Sequence, residues 1–283
     1  DLLMERTLPF FTGFSKVWQN IGKTENKGIE LNIQANTLKT KSFSWETTVT
    51  FARNWNKITE LLGGGDIRNN SWFIGKPLQV HYNYEMIGVW QLGEEKEAQK
   101  YGAIPGDIKV KDQNNDGSIG ELDKVILGQK DPKIIASLLN SFRFGAFDAS
   151  INLNMNFGSL IHPNTYASLI TRDGLRWMPS NFKYWTPDNP TNEYPRLNST
   201  RSYLFSDYFV HDGSFVRLQN INIGYTIPVR KAFIRSVRVF ANIENAYTFT
   251  KFDGYDPEVG VDGIYWGGYP RLRKYAIGLD LKF

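Results

Sequence analysis

The sequence predicts an all-β, antiparallel fold of the transmembrane β-barrel type, and three observations lead to it. Apolar and polar residues alternate over long stretches, short and long connections take turns along the chain, and aromatic residues cluster near the ends of the alternating stretches. A period of two is typical of a strand whose two faces meet different surroundings. Helical periodicity is scarce in the 283 residues.

The last stretch of the chain alternates most regularly. Its apolar positions are Tyr275, Ile277, Leu279, Leu281 and Phe283, and the positions between them are Lys274, Ala276, Gly278, Asp280 and Lys282. Residues 148–157 and 29–36 repeat the pattern, and four stretches follow it less cleanly: Phe43 to Trp55, Lys133 to Arg143, Phe215 to Ile227 and Val237 to Phe249. We predict seven strands of about 10 residues or more, close to the roughly 9–11 of a tilted membrane strand.

The connections between these strands alternate in length. Those near 39–42, 144–147 and 228–235 are short, whereas those near 56–131, 159–213 and 250–271 are long. Outer-membrane barrels have this organisation, with tight periplasmic turns and long outer loops. A soluble sandwich has no reason to collect its long loops at one end, although binding-loop sandwiches partly do so.

The strand count predicts that residues 1–283 are the C-terminal part of a larger barrel. If the last strand ends in the periplasm, residues 1–20 fall in an outer loop, whereas complete single-chain barrels have an even number of strands. We therefore expect earlier strands, and whatever precedes them, to be absent. Residues 78–90 also resemble a strand, and we predict an outer-loop extension or half of a hairpin there.

The two faces of the predicted strands differ in chemistry. The polar side of 148–157 carries Asp148, Ser150 and three asparagines, which suits a wet lumen, so we expect the apolar side to face lipid. Strand-end aromatics are typical of interfacial girdles: Phe43, Trp45, Trp55, Tyr225, Tyr247, Phe249 and Tyr275. Cations within strands belong on the wet side, since lipid exposure costs about 2–4 kcal/mol at the midplane: Arg143, Arg217, Arg238 and Lys274.

Composition argues against several function classes. The chain has no cysteine, so disulfides and thiolate metal sites are excluded, and 33 basic against 29 acidic residues give no signature of nucleic-acid binding. No catalytic motif is present, and His81, His162 and His211 are far apart in sequence without triad partners. Asp253, Asp256 and Glu258 form an acidic cluster that is at most a weak imitation of a glycosidase pair. We predict that the chain is not an enzyme.

Five groups of residues resemble the SusC/RagA group of TonB-dependent transporters. They are Asn20-Ile21-Gly22 with 26–31, Pro105-Gly106-Asp107-Ile108-Lys109 with 112–117, 184–190 with Pro195-Arg196-Leu197, 214–221 with Gly224-Tyr225, and 245–252 with 254–258. The resemblance runs from about residue 20 to residue 283. The resemblance implies a barrel of about 22 strands with an N-terminal plug, located in the bacterial outer membrane. It further implies TonB-dependent import of a glycan or peptide, a SusD-like surface lipoprotein as lid, and TonB contact through an N-terminal region outside this chain.

Residues 112–123 match a calcium loop in part. Asp112, Asn114, Asp116, Ser118 and Asp123 occupy positions one, three, five, seven and twelve, and Gly117 supplies the sharp turn at six. Hard oxygen ligands at this spacing suit Ca²⁺. However, position twelve is Asp rather than a bidentate Glu, and flanking helices are not evident. The alternative is a polar turn held by side-chain hydrogen bonds, and both interpretations stay open.

Aromatic residues in the long loops are candidates for contact with a substrate or with the lid protein: Trp177, Tyr184, Trp185, Tyr265 and Trp266. Flat ring faces suit sugars and peptide side chains alike, but such residues also pack loops together. Length and resemblance make 177–197 the predicted lid-contacting loop.

Two other functions compete with a transporter. One is a surface or secreted, calcium-dependent all-β carbohydrate-binding module, which would be soluble without detergent. The other is a soluble glycan hydrolase, whose turnover would depend on one carboxylate.

Overall fold

The computed structural model describes residues 2–164, 183–197, 209–231 and 233–283. Its main element is an eight-stranded antiparallel sheet in which each strand pairs with the next sheet strand along the chain. The strands are β1 (Leu2–Thr7), β2 (Lys16–Lys39), β3 (Phe43–Leu61), β8 (Ile134–Phe144), β9 (Phe147–Phe157), β12 (Phe215–Lys231), β13 (Ile234–Thr250) and β14 (Lys274–Lys282).

Small elements fill the connections at one end of the sheet. They are β4 (Val80–Tyr84) paired with β7 (Lys124–Gln129), β5 (Met86–Val89) paired with β6 (Ile108–Val110), and β10 (Leu160–Ile161) paired with β11 (His211–Asp212). Short helical elements include α1 (Glu95–Lys100) and 3-10 turns at Phe10–Thr12, Arg68–Asn70 and Glu121–Asp123. No helix in the described part of the chain is long and apolar enough to cross a membrane.

The seven predicted strands are all present in the sheet, and most extend further than predicted. Residues 78–90 contribute β4 and β5, which lie outside the main sheet in two-stranded pairs. The prediction that residues 1–20 form a loop is wrong. Leu2–Thr7 pairs with the start of β2 around a turn that ends at Gly13, where φ is +76°. Backbone pairing forms this hairpin although its residues do not alternate regularly.

The strand register puts most apolar residues of the long strands on one face. Cross-strand neighbours on this face include Val49, Leu138, Leu153, Leu218 and Tyr247. No second layer covers it within the described residues, and the side chains of Ile277 and Leu279 are 85% and 65% exposed. Soluble monomers rarely expose an apolar area of more than a few hundred Å². This face therefore requires a non-aqueous neighbour.

The division between the faces persists across an irregularity in β12 and β13. The register of β12 shifts between Leu218 and Asn220 relative to both of its neighbours, and β13 has an irregularity at the same level, where Asn245 has a φ of +52°. The extra residue in β12 shifts the apolar positions of this strand from even numbers, such as Leu218, to odd numbers, such as Ile221. Because the bulge absorbs this extra residue, Ile221 still pairs on the apolar side, with Ile151 of the regular β9 and with Ile243 of β13.

The opposite face is polar and laterally connected by ion pairs. Arg238 of β13 bonds Asp148 of β9 at 2.6 Å and Asp280 of β14 at 3.1 Å, and it donates to Asn222 of β12 at 2.6 Å. Four strands are thereby joined through one guanidinium. The register also places Arg143, Arg217 and Lys274 on this face.

Two glycines on the polar face make room for larger neighbours. A Cβ at Gly224 would lie 2.5 Å from the Arg238 guanidinium, and one at Gly278 would overlap the ring of Phe240. Both large side chains therefore lie flat against the backbone of an adjacent strand.

Ile151→Arg and Asn152→Arg test which neighbour each face has. If the apolar face contacts lipid, Arg at position 151 destabilises the intact protein in a bilayer by about 2–4 kcal/mol, whereas Arg at position 152 on the wet face changes little. The unfolding temperature of the full-length protein in lipid is measured from the change of its gel mobility on heating. Equal effects of the two substitutions would contradict the assignment.

Candidate functional site

Three long connections leave the same end of the sheet. Loop A (62–133) joins β3 to β8, loop B (158–214) joins β9 to β12, and loop C (251–273) joins β13 to β14. We call them the loop layer. The buried apolar clusters lie in this layer or where it joins the sheet: Tyr84 with Ile108, Val110 and Phe209; Trp90 with Ala98 and Ala103; and Ile161 with Phe252 and Tyr265. These clusters therefore stabilise the loops rather than the eight-stranded sheet.

Loops A and B are joined at Gly106. The backbone N–H of Arg196 donates to the Gly106 carbonyl at 2.7 Å, and the Arg196 side chain bonds the buried Asp107 carboxylate at 2.9 Å. The indole of Trp185 donates to Gln91 at 2.9 Å. At Gly106 φ is +91° and a Cβ would lie 2.5 Å from the Trp185 ring, so glycine is required for conformation and for space. Two of the resembling segments, 105–109 and 195–197, thus form one junction.

Loop C is anchored to the sheet by Arg217. This side chain, 1% exposed, bonds Asp256 at 2.5 Å and Glu258 at 2.7 Å, and it donates to Thr248 at 3.1 Å. Glu258 also pairs with Arg271. Asp256 and Glu258 thus neutralise arginines, which argues against a free acid and base of a glycosidase. The third member of the predicted acidic cluster, Asp253, lies 4.0 Å from His211 instead.

The structure brings the three histidines together, which their sequence separation did not predict. His81 on loop A lies 3.0 Å from the Leu160 carbonyl, and His211 pairs with Ile161 across β10 and β11. The backbone of His162 exchanges hydrogen bonds of 2.9 Å with Gly263 and Tyr265 on loop C. Burial, reinforced by the charges of His81 and His211, lowers the pKa of His162 to about 4. Burial also lowers the pKa of His81.

The predicted calcium loop is held by its own side chains. Asp112 accepts the Gly117 N–H at 2.8 Å, and Asp116 accepts the Ser118 N–H at 2.8 Å. The buried Asp123 accepts backbone N–H groups from both sides, Gln113 at 2.9 Å and Gly120 at 2.7 Å. Among the described residues no group of three or more acidic, histidine or cysteine side chains is arranged for a metal. This geometry matches the polar-turn alternative, and calcium binding stays a prediction.

The predicted contact aromatics have different surroundings. Trp185 and Tyr265 are buried and pack the loop layer together, while Tyr184 is partly exposed. Trp266 is 66% exposed. Trp177 lies outside the described residues, as do residues 178–182 of the predicted lid-contacting segment.

Curated relatives align with the whole of this chain. TonB-dependent receptor P3 of Formosa agariphila is 31% identical over 318 residues, which cover 100% of this chain and 31% of the receptor. TonB-dependent receptor SusC of Bacteroides thetaiotaomicron is 29% identical over 302 residues, covering 100% of this chain and 29% of that protein. This chain thus spans about a third of the length of these relatives. No protein-family model matches the sequence.

Solved structures agree on the fold. The RagAB peptide transporter matches with a TM-score of 0.82 at 22% identity, covering 100% of this chain and 32% of the matched chain. The open-open state of the RagAB peptide importer matches with a TM-score of 0.76 over the same share of this chain. The sheet and its loops therefore have the architecture of part of a transmembrane β-barrel.

Arg217→Met tests the anchor of loop C. Removing one partner of a buried ion pair leaves Asp256 and Glu258 without their guanidinium, and we expect local opening of loop C to become easier by about 3 kcal/mol. Hydrogen exchange of residues 251–273 in the intact protein measures this change. The matched control is Arg235→Met at an exposed position of β13, which should leave exchange unchanged. Unaltered protection in Arg217→Met would show that the ion pairs do not hold the loop.

The histidine cluster predicts a pH dependence of the loop layer. The pKa of His162 falls from 6.5 to about 4 on folding, so between these values the unfolded segment binds more protons. Stability is therefore complete above about pH 6.5 and is lost as the pH falls towards 4. After correction for intrinsic rates, amides of 158–164 should exchange faster at pH 5 than at pH 7, and His162→Gln should flatten this difference. Amides in the middle of β12 serve as the internal control.

Proposed function

This chain is related along its whole length to TonB-dependent receptors of the SusC type, and we propose that it forms the C-terminal barrel wall of an outer-membrane nutrient importer. The wall contacts lipid on its apolar face and encloses water on its polar face. The proposed cargo is a glycan or a peptide, taken up at the expense of energy supplied through TonB. The observation that carries this proposal is the uncovered apolar face, with Ile277 at 85% exposure.

Partners of the importer follow from the relatives. The matched structures are of the RagAB peptide transporter, and the resemblance to the SusC/RagA group supports a SusD-like lipoprotein over the loop layer. The layer is suited to such a role because its loops are joined to one another at Gly106 and anchored to the wall at Arg217. The resemblance implies a TonB contact and a plug, and we propose that both belong to regions of the full-length protein outside the aligned third.

The two competing functions fit the structure less well. A soluble carbohydrate-binding module would place the long apolar face in water, where such an area is rarely tolerated. A hydrolase would need a carboxylate free to exchange protons, whereas Asp256 and Glu258 are engaged by Arg217 and Arg271.

Uptake by cells tests the proposal directly. A strain deleted for the full-length gene is supplied with the wild-type protein, and growth on defined glycans or on a peptide digest as sole carbon source is measured. We expect one class of nutrient to require the gene, and a protonophore to abolish uptake. The full-length protein should need detergent for extraction. A protein that is soluble without detergent would contradict an importer.

We also propose that residues 112–123 bind Ca²⁺, with Asp112, Asn114 and Asp116 as side-chain ligands. Calcium added to the EDTA-treated full-length protein should then slow hydrogen exchange within this loop, and Asp112→Ala should remove the effect. Asp188→Ala, at an exposed position of loop B, is the control. Exchange that is the same with and without calcium would leave the loop as a polar turn.

A further inference from the structure

We propose that the pocket beside Trp266 in loop C is a subsite for a neutral sugar unit. This inference rests on the proposed import function and names the class of cargo. It starts from an aromatic side chain that the loop holds in place without burying it.

The indole of Trp266 is fixed yet open. Its Nε1 donates to Asp262 Oδ2 at 2.9 Å, and the other oxygen of that carboxylate accepts the Ile264 N–H at 3.2 Å. The neighbouring Tyr265 is buried against Phe252, with ring centroids 5.5 Å apart, and so anchors the segment from below. Packing within loop C does not cover this ring, since 66% of the side chain is exposed. Its orientation is set before any ligand arrives, which lowers the entropic cost of binding.

A pocket of about 390 Å³ lies next to this ring. Its lining includes Trp266, Tyr269, Arg271, Asp256 and Glu258. Small-molecule sites range over roughly 300–1,000 Å³, so the space suits a short ligand segment rather than a folded partner. Tyr269 is fully exposed at the rim and presents a second ring with a hydroxyl.

The charges on the floor of the pocket cancel. Asp256 and Glu258 bond Arg217, and Glu258 also bonds Arg271, which gives two cations for two anions. A charged peptide end would bring an unbalanced charge to a pocket whose own charges already cancel. Neutral sugar hydroxyls instead form hydrogen bonds with carboxylate oxygens and guanidinium N–H groups that still have a free lone pair or proton. Arg271 offers such N–H groups because its side chain is half exposed. Apolar C–H faces of the sugar then stack on the indole.

Binding to the full-length protein in detergent tests the subsite. The probes are maltohexaose, cellohexaose and laminarihexaose, with a tryptic casein digest as the peptide probe, and titration calorimetry gives the affinities. We expect one hexasaccharide to bind and Trp266→Ala to weaken it by about 3- to 10-fold, while Trp266→Phe retains most of the affinity. Tyr255→Ala is the matched control, because Tyr255 is exposed on the same loop but does not line the pocket.

The outcomes separate the subsite from the import function. A hexasaccharide whose affinity is unchanged in Trp266→Ala overturns the subsite and leaves import intact. Binding of the peptide digest alone overturns the sugar class, again leaving import intact. Failure of every probe to bind, together with normal growth of the deletion strain on all of these nutrients, overturns both.

Discussion

The register of the eight-stranded sheet is the constraint on which the other features depend. Side chains alternate along each strand, so a slip of one residue anywhere would carry apolar side chains to the polar face. The sheet contains irregularities, yet at β12 and β13 they occur at the same level, and Ile221 still meets Ile243. The two environments of the wall are thus maintained over strands as long as the 24 residues of β2.

The loop layer is held by polar junctions as well as by apolar clusters. Arg196 joins loops A and B through Asp107, while Arg217 joins loop C to the sheet through Asp256 and Glu258. Each junction contains a buried charge, which is costly to leave without its partner. Such pairs favour one arrangement of the loops, because other arrangements would bury an arginine or an aspartate without its partner.

Sequence alone predicted the strands that alternate cleanly, such as 148–157 and the C-terminal stretch, because the period of two is a local property. It described 215–227 and 237–249 less cleanly, since the bulges near Gln219 and Asn245 interrupt the period. It assigned residues 1–20 to an outer loop by counting strands back from the C-terminus. No regular alternation in residues 2–7 indicated the strand that pairs with β2 there.

The candidate site was less accessible to such reasoning. The histidine cluster and the Arg217 anchor join positions distant in the chain, and only the fold brings them together. The roles of the loop aromatics also depend on tertiary burial, so Trp185 and Trp266 could not be told apart by spacing or composition. Gly106 belongs to a recognisable segment, 105–109, but the side chain that it contacts, Trp185, is about eighty residues further along the chain.

The flat seating of Arg238 and Phe240 over Gly224 and Gly278 has a consequence for any molecule that passes along the polar side of the wall. The guanidinium of Arg238 and the ring of Phe240 occupy the space that a Cβ atom would fill at the two glycines. They would otherwise project from the polar face. These strands therefore project less from the polar face than two large side chains would normally make them do. They nevertheless keep the charge and the hydrogen-bonding groups of Arg238. A methyl group at either glycine would push the neighbouring side chain away from the backbone, so that it would project further from the polar face.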